Sequence, residues 1–493
     1  MSEIFSQLGY LLSYDATQPL FFNSGLFLFL FLLFSGGYAL LTGKHQTAVR
    51  LLYLTAFSYY FYYKNAGGYC VLLAIITLGN YFIGKMIEDA QDVKKKKILV
   101  SLAVTLMLSQ LAYFKYTNFA LSLVVPWAGG TFEPLDIFLP AGISFFTFQS
   151  MNYVIDVYRG KLKACRSLLD FSFFVSFFPT LLAGPILRAR DFLPQVRQPL
   201  NVTREMFGLG LWFIMIGLFK KAIISDYIGV NFVNRIFDDP SLYTGLENLL
   251  GIYGYALKLY CDFSGYSDMA IGLGKIFGFH FPENFSYPYA SRSITEFWRR
   301  WHISLSTWFR DYVYIPLGGN RKGVLKQLRN MAVVWFLTGL WHGAAWNFVL
   351  WGIYYGILLA FEKFVWGKGL AKLPKLVQHL YALLIVVFGF VIFTFDDMAA
   401  LRTYLTSMLG MAGNPLFGTE VFWYLGNYGV VLIASCILAF PVYPWLKAKI
   451  SCMGTAVTTI TSALSMLGYM ALFLLATAYL VNDTYNPFLY FRF

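Results

Sequence analysis

Residues 20–41 read LFFNSGLFLFLFLLFSGGYALL, a run of 22 residues that contains no charged side chain. A helix rises about 1.5 Å per residue and needs about 20 mostly apolar residues to cross the hydrocarbon layer of a membrane. This run is therefore long enough for one crossing. Similar runs recur along the rest of the chain, which predicts a protein embedded in the membrane along its whole length.

The composition of the chain points the same way. Its 493 residues are 58% hydrophobic and only 13% charged, whereas soluble domains carry roughly a quarter charged residues. The apolar runs are continuous and do not alternate with polar residues, so helices rather than a β-barrel must satisfy the backbone. We therefore expect an all-α integral membrane protein that forms a single domain over residues 1–493.

The apolar runs predict roughly eleven membrane crossings. One of them, 330–362, is too long for a single upright helix and is either a tilted helix or two segments. The candidate spans lie near residues 20–41, 51–63, 69–84, 98–125, 137–157, 168–186, 205–227, 243–262, 330–362, 377–395, 422–443 and 459–481.

The formal net charge of +13 has a topological explanation. In a soluble protein it would suggest nucleic acid, but in membrane proteins Lys and Arg collect in cytoplasmic loops. Lys44 and Arg50 follow the first span, and the runs at 94–97 and 159–166 fall on the same side of the membrane. This pattern predicts an N-terminus outside the cell, these loops in the cytoplasm, and no nucleic-acid partner.

Residues 283–329 interrupt the apolar pattern with aromatic and charged residues, prolines and the pair Gly318 and Gly319. Polar backbone is tolerated at membrane depth only where protein or a water-filled cavity covers it. We therefore expect short helices that line a cavity on the cytoplasmic side. Eight basic residues between 292 and 329 outnumber the two acids there, so Arg299, Arg300 and Arg321 are candidates to bind an anionic molecule; anchoring at lipid headgroups is the alternative.

Two of the five histidines lie in unusual settings. His342 lies inside the apolar stretch LTGLWHGAAWNFVLWG, residues 337–352. An ionisable residue in a membrane span is a functional-site hypothesis by default, although a neutral histidine bonded to Thr338 or Asn347 is the alternative. His302 follows Trp301 and two arginines, which also describes a helix at the membrane interface. Glu296 and Arg300 are spaced to pair on a helix.

Other motifs are weaker or missing. Asp262 and Asp268 lie in LYCDFSGYSDMAIGLG, residues 259–274; we favour a polar pair that orders a tight turn at Ser264 and Gly265, with Asp262 lining the cavity as the alternative. The sequence lacks a phosphate-binding loop and the G-x-S-x-G nucleophile motif. The five cysteines show no metal-ligand spacing. ATP-driven transport, serine hydrolysis and a metal site are therefore not supported.

Several segments together resemble the membrane-bound O-acyltransferase family, in particular its bacterial branch that contains the alginate O-acetylation and lipoteichoic acid D-alanyl transfer proteins. The first is WRRWHISLSTWFRDYVYIPLGGNR, residues 298–321, followed by LWHG at 340–343. The others are LPAGISFFTFQSMNYVIDVYRG, FPTLLAGPILRARDF, LYCDFSGYSDMAIGLG and the terminal NPFLYFRF. The likeness covers most of the chain in order.

The resemblance implies a bundle of about eleven spans around a central tunnel. The near-universal histidine of the family falls on His342, and its second, more variable position falls on His302. A histidine with a pKa near neutrality suits general-base work on a hydroxyl group, so His342 is the expected base. His302 is expected either to donate a hydrogen bond to the oxyanion or to position the donor. The expected tunnel lining includes Trp301, Trp341, Asn347 and Asp262.

The implied reaction moves an acyl group, with acetyl as the expected one, from a cytoplasmic thioester to a hydroxyl of the cell envelope or of a partner protein. The donor is acetyl-CoA or an acyl carrier protein, docked by Arg299, Arg300 and Arg321, and we expect no tightly bound cofactor. We also expect a bacterial inner-membrane location, lipid contacts and an extracytoplasmic acyltransferase partner that modifies an exopolysaccharide, as in alginate biosynthesis. The alternatives are D-alanyl transfer to teichoic acid from a carrier-protein thioester, a transporter or flippase, and a scaffold.

Overall fold

The computed structural model describes residues 7, 9–41, 47–198 and 202–482. These residues form helices and turns, and none of them forms a β-strand. His45, Lys44 and the terminal NPFLYFRF segment lie outside the described residues. Among the described residues, seven helical stretches are long and apolar enough to cross a membrane. The protein is therefore an all-α, multi-pass membrane protein, and the figure of roughly eleven crossings stays a prediction.

The chain divides into two compact units, of which the first comprises residues 1–211 and 270–282. Three of its described helices begin at a side-chain cap, at Ser24, Asp92 and Ser167; the hydroxyl of Ser24 accepts a hydrogen bond from the backbone N–H of Phe27. Its helices are α1 (Gly25–Leu40), α2 (Thr47–Ala66), α3 (Cys70–Asp89), α4 (Val93–Trp127), α5 (Ile143–Tyr158), α6 (Leu168–Ser176), α7 (Phe178–Leu181) and α8 (Ala189–Val196). A 3₁₀ turn at Gly67–Tyr69 separates α2 from α3, and α9 (Arg204–Leu218) continues into the second unit.

The predicted span at 168–186 is wrong. The helix stops at Ser176 because Phe177 adopts a non-helical conformation, and Pro179 then occupies the first turn of the four-residue helix α7. Beyond it, Gly184 has a φ of +100°, which ends any regular helix. Phe173, Phe177 and Phe178 are fully buried within the first unit. Burial inside protein thus accounts for the apolar composition of this segment, which does not form one continuous spanning helix.

The second unit comprises residues 212–269 and 283–493. Its α-helices are α10 (Asn234–Asp238), α11 (Gly245–Ile276, whose end lies in the first unit), α12 (Ile294–Arg300), α13 (Ile303–Phe309), α14 (Val324–His342), α15 (Trp346–Phe361), α16 (Gly367–Leu370), α17 (Lys375–Thr394), α18 (Met398–Met408), α19 (Glu420–Ala439), α20 (Val442–Ser451) and α21 (Thr455–Asn482). Its π-helical turns are Phe219–Asp226, Gly229–Val233, Arg310–Tyr314 and Glu362–Trp366, and its 3₁₀ turns are Pro240–Leu242 and Pro288–Ala290.

The long stretch 330–362 forms two antiparallel segments, α14 and α15, as one of the two sequence alternatives predicted. They approach backbone to backbone at Gly339 and Gly352, where an added Cβ would lie 2.3 Å from the carbonyl oxygen of Phe348 and 2.4 Å from that of Trp335, respectively. Small residues permit such close helix packing in membranes. The short helices α12 and α13 confirm the interruption that was predicted within 283–329.

The predicted turn at Ser264 and Gly265 is wrong, because α11 runs through both residues as one helix. Gly265 instead permits a close approach: an added Cβ would lie 2.9 Å from the carbonyl oxygen of Gly217. Asp262 and Asp268 do not order a turn. Each forms an ion pair with a buried lysine, at 2.8 Å with Lys221 and at 2.6 Å with Lys220.

Candidate functional site

His302 lies at the junction between α12 and α13, in the left-handed region with a φ of +45°. A non-glycine residue rarely adopts this conformation, which costs on the order of 1 kcal/mol or more. Two backbone hydrogen bonds hold the junction. The N–H of Ser286 donates to the carbonyl of Arg300 at 2.9 Å, and the N–H of Ile303 donates to the carbonyl of Asn284 at 2.9 Å.

The side chain of His302 is almost completely enclosed, with 1% of the residue exposed. Its Nδ1 lies 3.1 Å from the side-chain oxygen of Asn284, and the ring of Phe263 meets it edge to face at 4.7 Å. Its Nε2 is buried and has no hydrogen-bond partner among the described residues. His302 lies outside the candidate membrane spans, and burial lowers the pKa of its imidazole well below the ordinary value, which keeps the ring neutral.

His342 is the last residue of α14 and is also buried. The chain turns at Gly343, where an added Cβ would collide with the ring of Phe348. Aromatic rings surround the imidazole, with Trp351 at 5.0 Å and Phe393 at 5.3 Å between ring centroids. The C-terminal end of a helix carries partial negative charge, so this position favours a histidine that becomes protonated during a reaction.

His302 and His342 line the same cavity, which has a volume of about 220 Å³. The indole of Trp341 lies between them, with centroid distances of 5.7 Å to His302 and 5.1 Å to His342. The wall also includes these residues: Thr295, Trp298, Arg299, Trp301, Leu305, Ser306, Phe309, Arg310, Tyr314, Val334, Trp335, Thr338 and Leu359. The two predicted histidines therefore share one site although 40 positions separate them.

A second cavity of about 680 Å³ adjoins the first. The two share the wall residues Thr295, Arg299, Tyr314 and Leu359. The larger cavity is more polar, since its wall also includes Arg292, Glu296, Glu362, Lys363 and Gln378. A mostly apolar histidine cavity thus borders a wider compartment that contains charges of both signs.

The three arginines that the sequence grouped together lie in different surroundings. Arg299 lines both cavities. Arg300 pairs with Glu296 at 2.7 Å, as the i, i+4 spacing predicted, and lines a different cavity together with His379. Arg321 is exposed in the turn that follows Gly319 and lines none of these cavities. Of these three arginines, Arg299 is the one that lines the cavity of both histidines.

The four residues predicted to line a tunnel also lie in different surroundings. Trp301 lines the histidine cavity, and Trp341 contacts both imidazoles. Asn347 is buried near the turn that follows His342, where its amide donates to the carbonyl of Phe393 at 2.9 Å. Asp262 is absent from the wall of the histidine cavity and belongs to the buried ion-pair cluster with Lys221.

Comparison with known proteins decides the family. The sequence model of MBOAT, the membrane-bound O-acyltransferase family, matches residues 56–400. The chain belongs to this family. This confirms the family that the segments around His302 and His342 resemble. Both histidines lie within the matched residues.

Similar proteins carry acyl-transfer names. The probable alginate O-acetylase AlgI of Pseudomonas putida is 38% identical over 96% of this chain and 100% of its own length. The peptidoglycan O-acetyltransferase of Helicobacter pylori is 34% identical over 80% of this chain and 81% of its own. The teichoic acid D-alanyltransferase of Bacillus subtilis is 34% identical over 52% of this chain and 67% of its own. The protein is accordingly an acyltransferase.

Asn284 is a neighbour of His302 that the sequence did not single out. It is 1% exposed, and its side chain contacts His302 from 18 positions earlier in the chain. No motif marks it, because the contact depends on how the segments around Ser286 and Arg300 pair. Asn284 is an uncharged residue directly before Phe285, and its position follows no periodic pattern that would mark it as functional.

Proposed function

We propose that this membrane-bound O-acyltransferase transfers an acetyl group from a cytoplasmic thioester, through an intramembrane tunnel, to a hydroxyl of the cell envelope or of a partner protein. One observation carries the proposal: His302 and His342 line a single cavity that adjoins a larger polar one through Arg299. A site that holds both reactants replaces a bimolecular encounter with an oriented one.

The proposed reaction uses His342 as the general base. Its imidazole takes the proton of the acceptor hydroxyl as that oxygen attacks the thioester carbonyl carbon. The new C–O bond forms, the C–S bond breaks, and the proton passes from the imidazolium to the leaving thiolate. The products are an ester and a free thiol. The position of His342 at the end of α14 supports this role, because the helix dipole stabilises the intermediate imidazolium.

The proposed donor enters through the larger cavity. Acetyl-CoA carries phosphates, and a phosphopantetheine arm on an acyl carrier protein carries one as well, so arginine is a suitable partner for either. Arg299 is the arginine that borders both cavities, which makes it the preferred docking residue among the three predicted. In the proposed topology this mouth opens to the cytoplasm of a bacterial inner membrane and the N-terminus lies outside.

The proposed acceptor is identified by its chemical class, a hydroxyl group of a cell-envelope glycan. Relatives named for alginate and peptidoglycan O-acetylation support a glycan hydroxyl as the final acceptor. We propose that an extracytoplasmic acyltransferase partner receives the acetyl group and delivers it to the polymer. D-alanyl transfer from a carrier-protein thioester is the second candidate, supported by the relative named for teichoic acid D-alanylation.

A donor competition assay tests the proposal. Purified protein in proteoliposomes is supplied with radiolabelled acetyl-CoA or with a D-alanyl carrier-protein thioester, and label in a hydroxyl ester is measured in both cases. The proposal predicts transfer from acetyl-CoA. Transfer from the D-alanyl carrier alone would establish the second candidate. If neither thioester gives an ester and an intact solute instead crosses the vesicle membrane, the alternative function as a transporter is favoured.

A further inference from the structure

The side-chain oxygen of Asn284 lies at the centre of a dense hydrogen-bond cluster. The backbone N–H of Ser304 donates to it at 3.2 Å, and the hydroxyl of Ser304 donates to it at 2.8 Å. The Nδ1 of His302 lies 3.1 Å from the same oxygen. The amide nitrogen of Asn284 donates in the other direction, to the hydroxyl of Ser267 at 3.2 Å.

The backbone N–H of Ser304 fixes which way this amide points. Oxygen and nitrogen of an asparagine side chain are assigned from their partners, because an amide can be flipped without changing its shape. A flipped Asn284 would place its NH₂ group against the backbone N–H of Ser304, two donors that face each other. A backbone N–H cannot act as an acceptor. The oxygen of Asn284 therefore faces Ser304 and His302.

This orientation determines the tautomer of His302. An amide oxygen only accepts, so Nδ1 of His302 must carry the proton that lies between them. A neutral imidazole has one proton, and its Nε2 then holds a lone pair. That nitrogen is buried and has no partner among the described residues. A buried acceptor that lacks a partner costs roughly 1–3 kcal/mol, which is offset when a ligand supplies the hydrogen bond.

We propose that Asn284 is a positioning residue that holds His302 as the Nδ1–H tautomer, so that Nε2 accepts a hydrogen bond from an amide N–H of the pantetheine arm of the thioester donor. In this state His302 cannot donate to an oxyanion, which removes one of the two roles predicted for it. The inference rests on the proposed function only in naming a thioester donor as the bound group. The tautomer itself depends on the contacts of Asn284 and on the burial of the ring.

Nitrogen NMR tests the tautomer directly. The protein is labelled with ¹⁵N-histidine, and the His302 signals are assigned as those lost in His302→Gln. We expect a protonated Nδ1 and a bare Nε2. A protonated Nε2 with a bare Nδ1, or a doubly protonated ring, would overturn the proposal. The measurement needs no acyl transfer, so it remains decisive even if the proposed reaction is wrong.

Variants of Asn284 test the positioning role. Asn284→Leu removes the acceptor and should give mixed tautomers with a roughly tenfold loss of transfer, the size of one hydrogen bond. Asn284→Asp keeps an acceptor oxygen and should retain the Nδ1–H signal and most of the activity. Thr307→Ala is the control, since its hydroxyl donates to the carbonyl of Ile303 within α13 and its loss should change neither readout. Equal losses in Asn284→Leu and Asn284→Asp, or an unchanged Nδ1–H signal in Asn284→Leu, would contradict the proposal.

Discussion

Two buried polar regions of the second unit differ in how their polar atoms are satisfied. In one, Lys221 pairs with Asp226 at 2.7 Å and with Asp262 at 2.8 Å, and Lys220 pairs with Asp268 at 2.6 Å. In the other, neutral His302 uses one ring nitrogen to contact Asn284 and leaves the other without a partner among the described residues.

This difference distinguishes polar residues that stabilise the fold from polar residues that can take part in a reaction. A buried charge is tolerated only with a partner, and the aspartates and lysines of the ion-pair cluster supply partners to one another. This cluster ties the π-helical turn Phe219–Asp226 to α11. The histidine cavity instead contains free space and an acceptor that a ligand can satisfy. Polarity in an apolar stretch is therefore a weaker sign of chemistry than an unsatisfied polar atom beside a cavity.

The largest effect is expected from breaking the ion-pair cluster. Lys221→Met removes the cation between Asp226 and Asp262, and breaking a buried pair by removing one partner typically costs about 3–5 kcal/mol of stability. Thermal melts in detergent should show a large drop. Lys322→Met, at an exposed lysine, is the control and should melt as the wild type does. A wild-type melt for Lys221→Met would show that the cluster does not stabilise the fold.

His302→Ala should affect transfer rather than stability. The change removes one hydrogen bond to the thioester donor, so the rate should fall roughly 10- to 100-fold. His379→Ala is the control, because His379 lines a different cavity and contacts the carbonyl of Ser291. Steady-state transfer from labelled acetyl-CoA measures both. If the two variants lose the same activity, the distinction between the cavities fails.

Charge reversal distinguishes Arg299 from Arg321. Arg299→Glu should raise the KM for a phosphate-bearing donor about tenfold, a modest change because the side chain is exposed and screened by solvent. Arg321→Glu should leave that KM unchanged, since Arg321 lines none of the described cavities. Donor titrations give both values. Equal effects would indicate a general surface-charge contribution, as expected of residues that anchor at lipid headgroups.

The smallest effect is expected at Glu296. Both side chains of its ion pair with Arg300 are about one-third exposed. Exposed ion pairs contribute about 0.2–1 kcal/mol to the stability of the fold. Glu296→Gln should therefore shift the thermal melt by little. A loss of stability as large as that of Lys221→Met would mean that exposure does not predict the contribution of an ion pair in this protein.

The sequence predicted the helical membrane fold because long apolar runs have few other ways to satisfy the backbone. It failed at 168–186, where the apolar residues are buried by protein rather than by lipid. Hydrophobicity alone does not distinguish these two surroundings. The break of 330–362 into α14 and α15 was one of two alternatives, and the backbone contact at Gly339 and Gly352 decides it.

The candidate site was predicted in part. Its setting in an apolar stretch drew attention to His342, a weaker signal from its tryptophan and arginine neighbours pointed to His302, and the family resemblance then implied a role for both. Asn284 was missed because its contact with His302 is tertiary. Asp262 was a candidate for the tunnel because its partner Lys221 lies 41 positions away and only folding brings the two together.

Single-turnover acyl transfer by His342→Ala tests the central claim most directly. Purified variant and wild type are mixed with labelled acetyl thioester and acceptor, and thermal melts establish that both are folded. Loss of the general base without added bulk should lower the rate roughly 10²- to 10⁴-fold while the melt stays unchanged. Near-wild-type transfer by folded His342→Ala would contradict the assignment of His342 as the catalytic base.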